Sequence, residues 1–320
     1  MPKSALHHHH QRLDKHQPTV DDEDNGDDEL PTPLNALLRL RPARLVDDVD
    51  EEIFLLYTLN AKSQHDGGLG YVNHSNDKVY VALDGTGWSS ALSDRNLSGE
   101  LVVPIFQDVT SLRSSKGNTG SVLWRSTVEL AIRFRQGDIF DLAHLKHATV
   151  LELGAGTGAL PAMLGGLCSS WLATDQDELL PLMRKNLDRT PGVTVAALDW
   201  FDVLNPPSAH SAQLRKKHIL NQLNPAPTTS PHDTPAKEGA DVIICCDCIY
   251  NPGLFDALIA TINAFTQVGN TTVLVACEMR SDDSLAEFLT MWKASDQRWS
   301  IVSLEERFEK GFVALAGWKS

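Results

Sequence analysis

From residue 124 to the end of the chain, short apolar runs alternate with amphipathic stretches, and no other feature restricts the fold as tightly. Short apolar runs fit strands buried on both faces of a parallel sheet, and the stretches between them carry the helical period that such a sheet needs in its crossovers. Strands are expected at 148–153, 171–174, 193–198, 241–246 and 272–277. A helix is predicted over 159–167, and Leu179, Leu182, Met183 and Leu187 mark the stripe of the next. Leu254, Leu258, Ile262 and Phe265 mark a third, with Gly269 placed to stop it; Leu285, Phe288, Leu289 and Trp292 mark a fourth, opened by Ser281-Asp282-Asp283 as cap. The last two runs, 299–304 and 312–318, are joined by a polar segment too short for a helix and therefore make an antiparallel pair. The expected fold class is α/β, with a seven-stranded sheet that closes in a C-terminal antiparallel hairpin.

At 320 residues there is room for one large core with decorations. Residues 1–34 read as a disordered acidic tail, and no Cys or carboxylate spacing completes its histidine run, His7 to His10, into a metal site. Residues 35–120 read as a small β-rich extension, from Ile53-Phe54-Leu55-Leu56-Tyr57, Lys78-Val79-Tyr80-Val81-Ala82-Leu83 and Glu100-Leu101-Val102-Val103-Pro104-Ile105-Phe106. Residues 121–320 form the main domain, within which 205–239, rich in Pro, Ser, Thr and His around Arg215-Lys216-Lys217, reads as a flexible insertion. The five cysteines are odd in number and mostly lie in apolar runs, which argues for a reducing compartment. A net charge of −14 argues against direct nucleic-acid binding and for basic protein partners. No apolar run reaches about eighteen residues and the N-terminus lacks a signal-peptide core. A cytoplasmic or also nuclear protein with no membrane contact, working as a monomer, is expected.

The segment Glu152-Leu153-Gly154-Ala155-Gly156-Thr157-Gly158 lies where the first strand ends and its helix begins. Glycines there let the backbone turn tightly and approach a ligand. The spacing is also compatible with a dinucleotide fingerprint, because Ala159 stands where the third glycine would be and alanine is tolerated there. Glu152 discriminates better. An acidic side chain suits the positively charged amino-acid end of S-adenosyl-L-methionine and is poorly suited to a pyrophosphate. Asp175, about twenty residues past the glycines at the end of the second strand, is placed either to accept hydrogen bonds from ribose hydroxyls or to cap the next helix. Asp199 and Trp200 close the third strand, where an acceptor and an indole can hold an adenine amino group and stack on its ring, although Trp200 also fits a core position. An NAD-dependent oxidoreductase stays open at this point, as does an inactive binding module; the absence of a Tyr-x-x-x-Lys pair weighs against the former.

Four motifs occur together in order: Gly120-Ser121-Val122-Leu123-Trp124, the glycine loop with Leu151 and Glu152, Asp199-Trp200, and Asp247-Cys248-Ile249-Tyr250-Asn251. Together they resemble the methyltransferase-like 21 group of protein-lysine methyltransferases. Within it the chain is similar to the fungal ribosomal lysine N-methyltransferase 5 branch, which also carries a segment like Gln107-Asp108-Val109-Thr110-Ser111-Leu112-Arg113 before the Trp. The resemblance runs from about residue 106 to the C-terminus, leaving out 205–239. It implies a class I, Rossmann-like methyltransferase sheet with S-adenosyl-L-methionine as cofactor and a lysine of a basic, large-subunit ribosomal protein as substrate. It further implies that Trp124 contacts the cofactor, that the glycine loop (Gly154, Ala155, Gly156) holds its methionine end and Asp175 its ribose, and that Trp200 with Cys246 surrounds its adenine. Asp247 and Tyr250 then line the place where the target lysine enters. Cys245, Cys246 and Cys248 do not make a zinc site, because alternate strand residues face opposite sides and no second ligand pair has suitable spacing.

Overall fold

The computed structural model describes residues 37–39, 43–60, 70–73, 75–83, 102–112, 119–223, 238–304 and 308–320. The expected acidic tail, 1–34, lies outside them. The chain opens with strand β1 (Arg44–Leu45), helix α1 (Val49–Asn60), strands β2 (Lys78–Ala82) and β3 (Val102–Phe106), and helices α2 (Val109–Leu112), α3 (Arg125–Gln136) and α4 (Leu142–Leu145). The alternating part follows as β4 (Thr149–Leu153), α5 (Ala159–Leu164), β5 (Ser170–Asp175), α6 (Leu180–Leu187), β6 (Val193–Ala197), α7 (Trp200–Leu204) and α8 (Ala209–Leu223). It continues through β7 (Val242–Cys246), α9 (Phe255–Phe265), β8 (Thr272–Glu278) and α10 (Asp282–Ala294), and ends in β9 (Trp299–Ser303) and β10 (Phe312–Lys319).

The main sheet has the order β1-β9-β10-β8-β7-β4-β5-β6, with β2 and β3 paired separately. Strands β6, β5, β4, β7 and β8 run parallel, and β10 and β9 return antiparallel as the hairpin. The sheet therefore has eight strands rather than the expected seven. The eighth, β1, covers the edge of β9 that a sequence pattern leaves unpaired, and so blunts an exposed strand edge. It is fixed by Arg44, whose Nε and Nη2 donate to the Glu52 carboxylate on α1 at 2.8 and 2.9 Å. The chain steps outward from β4 to β6 and then crosses back to β7 on the other side of β4. That reversal opens a crevice at the carboxyl ends of the strands, the usual ligand position in such sheets.

Two apolar layers sandwich the sheet. On one face α3, α5 and α6 pack with Phe134, Phe140 and Trp171, and Leu37, Leu38, Val79 and Ile105 join the same layer, so part of the N-terminal extension shares the main core. On the other face Phe255, Phe288, Trp292 and Trp299 stack in sequence with centroid spacings of 5.5, 5.8 and 5.4 Å.

Two expectations are corrected. Ile53 to Tyr57 belong to a helix rather than a strand, because Asp48 caps its start by accepting from the Glu51 N–H at 3.0 Å and an acidic first turn follows. Within 205–239, residues 209–223 form α8, whose Ile219, Leu220 and Leu223 are buried against the sheet; 224–237 lie outside the described residues. Helix α9 ends at Phe265, before Gly269, which takes a left-handed turn conformation beyond it.

Candidate active site

The glycine loop leaves β4 with Gly154, Gly156 and Gly158 at φ 72, 55 and 74°. Glycine is required there for conformation and for space. A Cβ on Gly154 would lie 2.8 Å from Cys248 Sγ and 3.1 Å from the Trp200 ring, and one on Gly156 would lie 2.9 Å from the Gly120 carbonyl. Asp175, at the end of β5, braces the loop by accepting from the Gly156 N–H at 2.8 Å while its other oxygen accepts from the Gln176 N–H at 2.8 Å. The helical cap position belongs to Gln176 and not to Asp175. Burial pushes the Asp175 carboxyl up to about 6.

Around this loop the carboxyl ends of the parallel strands enclose a cleft of about 610 Å³. Its lining brings together all the residues singled out from the sequence: Trp124, Glu152, Gly154, Ala155, Gly156 and Asp175 on one part of the wall, and Asp199, Trp200, Cys246, Asp247 and Tyr250 on the rest. Glu152 is the most deeply buried of its carboxylates. It accepts from Trp171 Nε1 at 3.0 Å, has no basic partner among the described residues, and is pushed by burial up to about 8. Asp199 caps α7, accepting from the Phe201 N–H at 2.8 Å, which turns Trp200 against Gly154. The thiols of Cys246 and Cys248 are driven well above their ordinary values by burial and stay neutral.

Asp247 is the one non-glycine among the described residues with positive φ, at 57°. Its N–H donates to the Ala276 carbonyl at 2.7 Å. Tyr250 is half exposed, and its hydroxyl accepts from Thr119 Oγ1 at 3.2 Å. The Trp124 indole N–H donates to the Thr119 carbonyl at 2.9 Å, so one short turn ties both aromatic rings to the cleft wall.

Sequence reasoning missed Arg280. It stands just past β8, donates to Asp247 Oδ2 at 2.6 Å, and lies 4.9 Å from the centre of the Trp124 ring. It is the residue that the rule locating ligands at strand ends would have flagged beside Glu152, Asp175, Asp199 and Asp247.

The sequence model of the lysine methyltransferase family matches residues 107–215 and 209–295. A Schizosaccharomyces pombe protein named diaminohydroxyphosphoribosylamino-pyrimidine deaminase is 26% identical over 248 residues, 76% of this chain and 51% of that protein, so the chain spans about half its length. Ribosomal lysine N-methyltransferase 5 of Vanderwaltozyma polyspora is 27% identical over 301 residues, covering 80% of this chain and 91% of the relative. The protein of the same name from Zygosaccharomyces rouxii is 28% identical over 311 residues, covering 84% and 96%.

Proposed function

The chain belongs to the lysine methyltransferase family, and on that premise we propose that it transfers methyl groups from S-adenosyl-L-methionine to a lysine of a large-subunit ribosomal protein. Methyl transfer to lysine is the family's reaction. The ribosomal acceptor is supported by the two fungal relatives of that name and by the net charge of −14, which suits a basic protein surface. The observation that carries the cofactor reading is Glu152: a carboxyl group buried in the cleft with no basic side chain beside it among the described residues is suited to a cationic ligand.

The residues present fit that ligand. Glu152 and the bare backbone of Gly154, Ala155 and Gly156 would hold the methionine end, Asp175 the ribose hydroxyls, and Asp199, Trp200 and Cys246 the adenine, with Trp124 across the cleft. When bound, S-adenosyl-L-methionine supplies a methyl group already activated on a sulfonium. What remains for the protein is to present a neutral amine, and at pH 7 only on the order of one free lysine in two thousand is neutral. Tyr250 supplies an aromatic wall that disfavours the ammonium form by desolvation, and Asp247 accepts a hydrogen bond that orients the nitrogen. We take a monomer as the working unit. We place the enzyme in the cytoplasm or nucleus, where ribosomal proteins are made and assembled; no helix among the described residues is long and apolar enough to cross a membrane.

A nicotinamide dinucleotide, the other ligand compatible with the glycine loop, brings an anionic pyrophosphate rather than the cationic group that would ionise Glu152, and the family match removes that reading. The deaminase name of the S. pombe protein does not carry over either, since the His-x-Glu and Pro-Cys-x-x-Cys signature of zinc deaminases is missing from the sequence. The test is transfer of labelled methyl groups into ribosomal subunits from cells lacking the enzyme. Label in one basic protein of the large subunit is expected. Label elsewhere overturns the acceptor, and a purified chain without affinity for S-adenosylhomocysteine overturns the cofactor.

A further inference from the structure

Four charged side chains meet at the carboxyl ends of β7 and β8. Arg280 Nη2 bonds Asp247 Oδ2 at 2.6 Å and lies 3.3 Å from Glu278 Oε2, while Arg125 pairs with Oε1 of Glu278. Among the described residues, two guanidiniums here meet two carboxylates. Among the described residues, the other titratable groups near the pair are the thiols of Cys246, Cys248 and Cys277 and the phenols of Tyr57 and Tyr250, all raised by burial and neutral at physiological pH, with Tyr71, Glu152 and Asp175 also lining the cleft. Left-handed backbone at Asp247 and the bond from Arg280 to its Oδ2 fix the carboxylate in the wall of the cleft.

This pairing resolves a conflict inherent in the site. A lone carboxylate beside the acceptor nitrogen would hold the lysine as an ammonium, which cannot attack. Asp247 would then orient the substrate and inhibit it at once. We propose that Arg280 is a positioning residue for the methyl acceptor: by pairing with Asp247 it leaves the lysine slot without net charge, so that the entering ammonium gives its proton to bulk water while Asp247 still orients the neutral nitrogen. The proposal rests on the reading of Asp247 and Tyr250 as the lysine's slot. The stacking of Arg280 on Trp124 fixes the guanidinium without engaging the donors that reach Asp247 and Glu278.

The experiment compares wild type, Arg280→Gln, Arg280→Lys and the double variant Asp247→Asn/Arg280→Gln, measuring kcat from pH 6 to 10 on large ribosomal subunits from cells lacking the enzyme. Calorimetry with S-adenosylhomocysteine runs alongside. Arg280→Gln leaves one carboxylate unbalanced, so the acidic limb of its kcat profile moves up by about one pH unit or more. Its rate at pH 7 falls roughly tenfold and converges on wild type near pH 10. Arg280→Lys keeps the limb in place, and the double variant, neutral again, moves it back toward wild type. Affinity for S-adenosylhomocysteine stays within about threefold throughout. Parallel profiles that drop equally at every pH, a double variant no better placed than Arg280→Gln, or a tenfold loss of affinity in Arg280→Gln overturns the proposal. If wild type transfers no methyl to the subunits, the acceptor reading itself fails, and the positioning role falls with it.

Discussion

The Trp171 indole N–H donates to the Glu152 carboxylate at 3.0 Å, joining neighbouring parallel strands beneath the glycine loop. A single neutral donor does not offset the desolvation of a fully buried carboxylate, so Glu152 keeps its proton up to about pH 8. The pair therefore forms an acid site that becomes anionic when a cation arrives.

This sets a pH dependence with a definite sign. Between the ordinary 4.5 and the folded value of about 8, the folded chain holds a proton at Glu152 that the unfolded chain has lost, so this group's contribution to stability falls as pH rises through that window. Binding of a cationic ligand favours the ionised form. Affinity for S-adenosyl-L-methionine is expected to rise from pH 5 to 8 and level off above, with proton release detectable by calorimetry in buffers of different ionisation enthalpy. Glu152→Gln flattens the curve. A slope of opposite sign in wild type contradicts the assignment.

Steric limits in the loop yield a second expectation. Alanine at Gly156 places a methyl 2.9 Å from a backbone carbonyl that cannot rotate away, at a φ of 55° that side chains disfavour. Gly156→Ala should weaken S-adenosylhomocysteine binding at least tenfold by calorimetry. Gly166→Ala, where a Cβ meets nothing within 4 Å, should leave it unchanged. Equal affinities in the two variants would remove the loop from the binding site.

Where the sequence could be read and where it could not follows from what each residue contacts. Strands β4 and β7 are buried along their whole length, so their mainly apolar runs marked them, with Glu152 near the end of β4 and Asp247 just past β7. Helix α1 buries only Glu52 and Leu56, one turn apart, and a glutamate buried against Arg44 carries no apolar signal; the run Ile53 to Tyr57 then imitates a strand. Helix α8 concentrates its buried side chains in its last two turns, leaving a polar start that resembles a loop. Strand β1 is two residues long, below any periodicity. The cluster of Arg125, Asp247, Glu278 and Arg280 includes a bonded pair, Arg125 and Glu278, 153 positions apart, and no local spacing encodes it.

Core stability should depend on the aromatic stack. Phe288 is fully buried between Phe255 and Trp292, so Phe288→Ala removes both ring contacts and leaves a cavity. A loss of about 3–5 kcal/mol in urea unfolding is expected. Leu59→Ala, on the exposed side of α1, should change stability by no more than about 0.5 kcal/mol. Comparable losses in the two variants would place the core elsewhere.

Tyr250 separates binding from transfer. Its ring lines the cleft beside Asp247 and is half exposed, and its hydroxyl accepts from Thr119, on the turn that also takes the Trp124 N–H. Tyr250→Ala removes the aromatic wall and admits water to the amine, which keeps more of the lysine charged. A fall in kcat of at least tenfold is expected at pH 7, with S-adenosylhomocysteine affinity within about threefold of wild type. Tyr250→Phe keeps the wall and loses only the tie to Thr119, so it should retain most of the rate. If Tyr250→Phe proves as slow as Tyr250→Ala, the hydroxyl rather than the ring is what the reaction needs, and desolvation by the aromatic face is not the source of the neutral amine.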